Sequence, residues 1–412
     1  IREMAHKQTC SAFLWSKVLN MPFWVMFNLL PIILYKELGA SPFHVTLLIV
    51  LKPTVALLAP YWSISVSNRK DRLLSNLVWA NILKYLPFLF FPYFRNLWFF
   101  IAAFSIHAMF IRGIIPAWME IIKLNINKSS RNKTFALGSA LDYLAGAIFP
   151  LCLGWLLDDY TSYWKWIFTA SAILGTVSTL FLFRIPMEVT TDIVTKDALK
   201  ISWKHELLKP IKQIVSLLRK RRDFFNFQIG FMLGGAGIMI MQPALPLFFV
   251  DTLNLSYTKM LIAISACKGI GFLITTPLWV KHFGKVNIYF FSSHVTLFAV
   301  VFSLFIIISS YNIAFLYVAF LMYGTMQAGS ELSWNMSGPV FSHNEDSSIY
   351  STANVFAIGL RGCVVPLIGS MVCSLTSPVY VMALCGALCA VATLYFKSCK
   401  RTEDFFVSET EH

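Results

Sequence analysis

Nine ionisable side chains interrupt stretches of sequence that are otherwise leucine, isoleucine, valine, phenylalanine and alanine: Lys17, Lys52, Lys84, Arg112, Glu120, Asp142, Lys268, Glu331 and Arg361. A charge at the centre of a membrane helix costs about 2.5 to 3.5 kcal/mol on insertion scales, so each should face an interior, find a partner or do chemistry. Lys17 sits about one turn from the end of its apolar run and is expected to reach the interface. The other five cations lie deep and meet only three carboxylates, so even complete pairing leaves two unmatched. Surplus positive charge concentrates and orients an anionic solute, and an arginine grips a carboxylate or phosphate through two parallel hydrogen bonds. Lys52, Lys268 and Arg361 are accordingly candidates for anion binding. Glu331 follows Gln327 by one turn and precedes Trp334 by nearly another, giving a polar–aromatic face on which a carboxylate can take up and release a proton.

Each of these residues also has a plainer reading. Arg112 and Asp142 lie at similar depths on consecutive apolar runs, which fits a fixed ion pair as well as a coupling element. Glu120, near the end of its run, is placed to lock onto Arg69 or Lys70 and close one side. Lys84 shares a polar patch with Asn81, and a hydrogen-bonded His107 is expected to be structural. Ser16, Asn20, Trp24 and Asn28 form one stripe, and Gln228, Met232, Gly235, Met239 and Gln242 another. Asn28, Trp118, Gln242, Gln327 and Trp334 are the candidates for lining a cavity, although small and polar residues also serve as helix-packing contacts. The eight cysteines show neither metal-ligand nor disulfide spacing. The run "GGAG" at 234–237 has no strand before it and is not a nucleotide fingerprint. No cofactor is expected.

The elements that must hold these charges follow from composition. Of 412 residues, 57% are hydrophobic and only 13% charged, with mean hydropathy +0.66, the balance of a multi-pass membrane protein. With about 20 apolar residues needed per crossing, twelve spans are expected near 12–35, 44–66, 73–94, 97–122, 134–157, 162–184, 224–252, 257–280, 286–309, 312–337, 347–373 and 378–397. The domain plan is a six-helix bundle over 1–184, a central loop over 185–223, a second bundle over 224–397 and a tail over 398–412. The central "ISWKHELLKPIKQIVSLLRKRR" fits a basic amphipathic helix on the membrane surface and, equally, a solvated linker. Of the 34 lysines and arginines, 24 fall on the side holding both termini and four on the other, so both termini are expected in the cytoplasm. This asymmetry also accounts for the formal charge of +14 without nucleic acid as a partner.

The two halves repeat. At offsets between 215 and 217 residues, Pro31 lies over Pro246, Lys52 over Lys268, Pro60-x-Trp62 over Pro277-x-Trp279, Gly113 and Trp118 over Gly329 and Trp334, and Gly146-x-x-x-Pro150 over Gly362-x-x-x-Pro366. Duplicated bundles packed face to face leave a cavity near the bilayer midplane, where transporters of this kind bind substrate. Lys52 and Lys268 are expected to point into it.

Twelve spans as six plus six, a basic central loop and both ends inside resemble the major facilitator superfamily. The loop after span two, "APYWSISVSNRKDR", keeps that family's basic cluster in Arg69, Lys70 and Arg72, with Ser63 where glycine is usual. The second copy, "TPLWVKHFGK", retains Lys281, Gly284 and Lys285. In "AMFIRGIIPAW", Arg112 is similar to the family's buried arginine. The resemblance implies an all-α membrane fold of two pseudo-symmetric bundles.

The expected function is secondary active transport of a small solute by alternating access, with an organic or phosphorylated anion and proton coupling as the sharper form. A proton-independent metabolite exchanger is the alternative within transport. From another class, a receptor on the same fold would be expected to lose its cavity charges. An enzyme would need a nucleophile–base set or metal cluster, and the sequence has neither. Compact loops point to a bacterial inner membrane, and a monomer is expected. Glutamine at Lys52 or Lys268 is expected to abolish uptake in proteoliposomes without impairing membrane insertion, and normal transport by both variants would refute anion binding by these lysines.

Overall fold

The computed structural model describes residues 2–59, 62, 70–126, 128–187, 203–343 and 348–410, and among them every regular element is helical. In the first half the spans are Arg2–Leu38, Pro42–Ala56, Leu73–Leu89, Leu97–Gly113 continued by Ile115–Asn125, Lys128–Asp159, and Trp164–Leu182. The seventh runs through Arg222–Ile240 and Ala244–Leu247 into a π-helical turn, Phe248–Thr252. The eighth comprises Tyr257–Leu261, a second π-helical turn at Ile262–Cys267, and Lys268–Phe283. Ile288–Ile308, Ile313–Ser342, Ser348–Leu375 and Pro378–Thr410 complete the set. Among the described residues nine helices are long and apolar enough to cross a bilayer, and Pro42–Ala56 and Leu97–Gly113 are shorter apolar helices.

Starts are set by local chemistry. The side chains of Asn96, Asn287 and Asn312 accept backbone N–H bonds from Trp98, Tyr289 and Ala314, satisfying donors that a helix's first turn leaves without partners. Prolines 22, 31, 53, 87, 150, 277, 339 and 366 lie inside helices, a tolerance typical of membrane spans.

The chain divides into two compact units. One holds Ile1–Val194 with Leu255–Ala266, the other Thr195–Asn254 with Cys267–His412. The first unit is centred on Phe23, Phe27, Tyr85, Phe88, Phe91, Phe100 and Phe168, all fully buried. Their rings stack or meet edge to face, as with Phe27 on Phe104 at 4.4 Å and Phe23 on Phe88 at 4.6 Å.

In the second unit the helices close until backbones meet. A Cβ on Gly324 would stand 2.0 Å from the Lys268 carbonyl oxygen, and one on Gly271 would stand 2.2 Å from that of Leu321. The eighth and tenth spans therefore cross where neither has a side chain, which is how helices associate when lipid removes the hydrophobic drive. The central helix, Trp203–Lys220, buries Ile214 and Leu217 in a cluster with Phe224, Phe227, Phe341 and Tyr350. One face of this segment thus docks on the second unit.

The duplication is visible as a repeated contact. In the first unit a Cβ on Gly113 would lie 3.3 Å from the Trp62 ring; in the second, one on Gly329 would lie 2.9 Å from the Trp279 ring. A tryptophan just past the second span in one half, Trp62, and within the eighth in the other, Trp279, thus rests on the matching glycine. Gly324→Ala is expected to push the eighth and tenth spans apart at a cost of about 1–3 kcal/mol, read as a lower thermal transition in detergent. An unchanged transition would refute the close crossing.

Candidate functional site

The described cavity lies wholly within the second unit. It has a volume of about 260 Å³, and Gly235, Met239, Gln242, Tyr323, Gln327, Glu331 and Arg361 are among its lining residues. The seventh span contributes Gly235, Met239 and Gln242 at roughly helical spacing, and the tenth contributes Tyr323, Gln327 and Glu331, so each presents one face.

Arg361 comes from the eleventh span and is 6% exposed. Its guanidinium occupies the space a side chain at residue 235 would need: a Cβ on Gly235 would be 1.9 Å from Nη1. Nη1–H donates to the Phe231 carbonyl at 2.7 Å and Nε–H to the Met239 sulfur at 3.4 Å, while the Phe231 ring lies 4.8 Å away. These contacts fix the guanidinium without neutralising it, and a guanidinium has more donors than they use. Among the described residues no carboxylate pairs with Arg361.

Glu331 accepts from Gln327 Nε2 at 3.3 Å. Lys268 is not among the residues lining this cavity within the second unit; its ammonium stands 5.9 Å from the Tyr323 ring. Trp334 is likewise absent from the lining. Its carbonyl accepts from Asn354 Nδ2 at 3.3 Å, which turns this part of the tenth span towards the eleventh. Gln228, on the same stripe as Gln242, is also bonded to Asn354.

In the first unit, Lys52 Nζ donates to Asn28 Oδ1 at 3.4 Å and stands 5.2 Å from the Trp24 ring. Two residues of the first-span stripe thus meet the lysine, and Lys52 and Asn28 are exposed on this unit. Trp118, expected to line a cavity, is instead buried at 8% exposure in a core cluster, edge-on to Phe13.

The Arg112–Asp142 pairing is not what forms. Asp142 is bonded to Lys17, and Arg112 is exposed. The reason lies one turn before the aspartate: Gly138 has no side chain, and the Lys17 stem runs across it, 3.2 Å from where a Cβ would be. Lys17 therefore reaches sideways to a carboxylate and not outward to an interface. Lys84 is buried at 5% exposure with its ammonium 4.8 Å from the Tyr85 ring, and His107 Nδ1–H donates to the Lys84 carbonyl at 3.0 Å. Glu120 lies on Ile115–Asn125. Arg69 and the side chain of Lys70 lie outside the described residues, as therefore does the gate expected from them.

Residues 17–366 match the sequence profile of the Major Facilitator Superfamily. The chain belongs to the major facilitator superfamily. Similar solved structures of the same fold include a point mutant of the nucleoside transporter NupG, with 12% identity, TM-score 0.72 and coverage of 95% of this chain and 99% of that one. A POT family transporter in complex with 5-aminolevulinic acid aligns at 12% identity and TM-score 0.72 over 93% of this superfamily member and 94% of its own chain. A peptide transporter POT in complex with sulfate gives 12%, 0.71, 96% and 94% in the same terms. No curated protein sequence matches this superfamily member.

Two features of the site escaped sequence reasoning. Tyr323 lies one turn before Gln327 on the stripe that pointed to Glu331, so periodicity could have found it. Phe231 enters through its carbonyl, which no sequence pattern marks. Exchanging the charges of Lys17 and Asp142 in a double variant is expected to recover stability lost in either single variant, with a coupling of about 0.5–1 kcal/mol in a thermal double-mutant cycle. Additive losses would refute the pairing.

Proposed function

We propose that this protein is a secondary active transporter that carries a small organic or phosphorylated anion by alternating access, coupled to protons, in a cell membrane with both termini in the cytoplasm. The observation that carries this reading is Arg361: a guanidinium fixed on a cavity wall by a carbonyl and a thioether, with its charge left for a ligand. An anion brought to it exchanges water for charge-assisted hydrogen bonds in a confined space. Glu331 on the same wall supplies the coupling group. Protonated, it removes a negative charge from the cavity and favours anion entry; deprotonated, it repels the anion and favours release. The excess of lysine and arginine on one side of the spans supports the orientation.

Uptake of labelled anions, sugars and amino acids into proteoliposomes, with and without a pH gradient, tests the proposal. Arg361→Gln is expected to weaken apparent anion affinity by about 10- to 100-fold, the range for losing a hydrogen bond to a charged group, and Arg361→Lys by less. Glu331→Gln is expected to abolish dependence on the pH gradient while leaving anion exchange. Equal uptake of neutral sugars, or an unaltered Arg361→Gln variant, would refute the anion reading.

A further inference from the structure

A second cationic site lies outside the cavity, at the end of the second unit where the eighth span finishes, the ninth begins and the twelfth finishes. His282 Nε2 and His294 Nδ1 are 2.8 Å apart. At that distance one nitrogen donates and the other accepts, so the pair holds a single bridging proton and at least one ring is neutral. Both rings are half-buried. The Phe290 ring lies 4.4 Å from His294, and the Lys400 ammonium lies 4.1 Å from Phe290.

The charged groups acting on His294 are all cationic. His282 comes from the eighth span, and Lys397 and Lys400 from the twelfth. From the seventh, Asp223 is already engaged by Arg221, through Nη2–H to Oδ2 at 2.8 Å. The tenth span presents Ser333, whose hydroxyl bonds Ser292. Lys281 and Lys285 flank His282 in sequence. Among the described residues no third histidine, cysteine or carboxylate joins the pair to make a metal site, and the lysines oppose a metal cation.

Below this cluster the protein surface is apolar. One turn deeper on the three spans are Leu278, Leu297 and Leu394, exposed by 63%, 44% and 67%. A cationic rim above an exposed leucine strip has the shape of a lipid's two parts: phosphate at the rim, acyl chains along the strip.

We propose that His282, His294 and Lys400 bind the phosphate of an anionic phospholipid, whose acyl chains lie along Leu278, Leu297 and Leu394. The phosphate accepts hydrogen bonds from both imidazoles. In its presence both rings can carry two N–H groups and the bridging contact opens, because two adjacent imidazolium rings are tolerable only around an anion. Binding therefore tightens as pH falls through the range in which histidine titrates. The orientation proposed above puts this end at the cytoplasmic leaflet, where anionic lipids create the negative surface potential.

The full chain in neutral detergent can be titrated with short-chain phosphatidylglycerol, phosphatidylcholine or inorganic phosphate at pH 6 and pH 8, with bound lipid read by native mass spectrometry. This readout depends on neither transport nor orientation, so it stands or falls apart from the proposed function. Phosphatidylglycerol is expected to bind more tightly than phosphatidylcholine, and more tightly at pH 6 than at pH 8. The double variant His282→Gln, His294→Gln is expected to lose the pH dependence. Lys400→Gln, which spares the histidine pair, is expected to weaken binding about fivefold at both pH values, as for one cation near a membrane surface. Equal binding of the two lipids, inorganic phosphate binding as tightly as phosphatidylglycerol, or pH dependence surviving in the double variant would overturn the proposal.

Discussion

Helices in hydrocarbon gain nothing by hiding apolar surface from one another, so a bundle depends on hydrogen bonds between helices and on close direct packing. Glycine is what permits this here. Gly271 and Gly324 let the eighth and tenth spans touch, and a Cβ on Gly369 would stand 1.9 Å from the Ile240 carbonyl oxygen. The same device accommodates functional groups. Gly235 leaves the gap that Arg361 fills, and Gly138 leaves the groove along which Lys17 reaches Asp142. In each case an absent side chain on one helix determines where a charge on another can sit.

That dependence separates what the sequence discloses from what it conceals. The all-helical membrane fold and the repeat are written in hydropathy and in matched prolines, tryptophans and glycines, and the repeat reappears as tryptophan on glycine in each unit. Which residues line the cavity is written less completely. Gln242, Gln327 and Glu331 stood out because polar groups recur along a helix face, and Arg361 because a cation in an apolar run is costly. Lys268 and Trp334 do not line this cavity within the second unit, because rotation of a helix about its axis is fixed by its neighbours. The partner of Asp142 was beyond reach for the same reason: depth along the membrane normal can be estimated by counting residues, but lateral proximity depends on which helix is next door and what it lacks.

The cations carried by the apolar helices are held in different ways. Lys17 has a carboxylate, Lys84 an aromatic ring and the surrounding core, and Lys52 an amide and an indole. Arg361 has a carbonyl and a thioether. The carboxylate cancels the charge of Lys17, whereas the carbonyl and thioether on Arg361 leave its charge in place. Arg361 is thereby held in position, which is the condition for a cation to remain available to a solute.

The segment Leu255–Ala266 belongs to the first unit although it follows the central loop in sequence. Asp158 accepts the backbone N–H groups of Tyr257 and Thr258 at 2.7 and 3.0 Å, and the Tyr257 hydroxyl donates to Glu37 at 2.8 Å. A polypeptide nicked in the central loop would consequently yield two fragments still joined without a covalent bond, the amino-terminal piece clasping twelve residues of the other. Cleavage at that loop would be visible on a denaturing gel and silent in the size of the native particle.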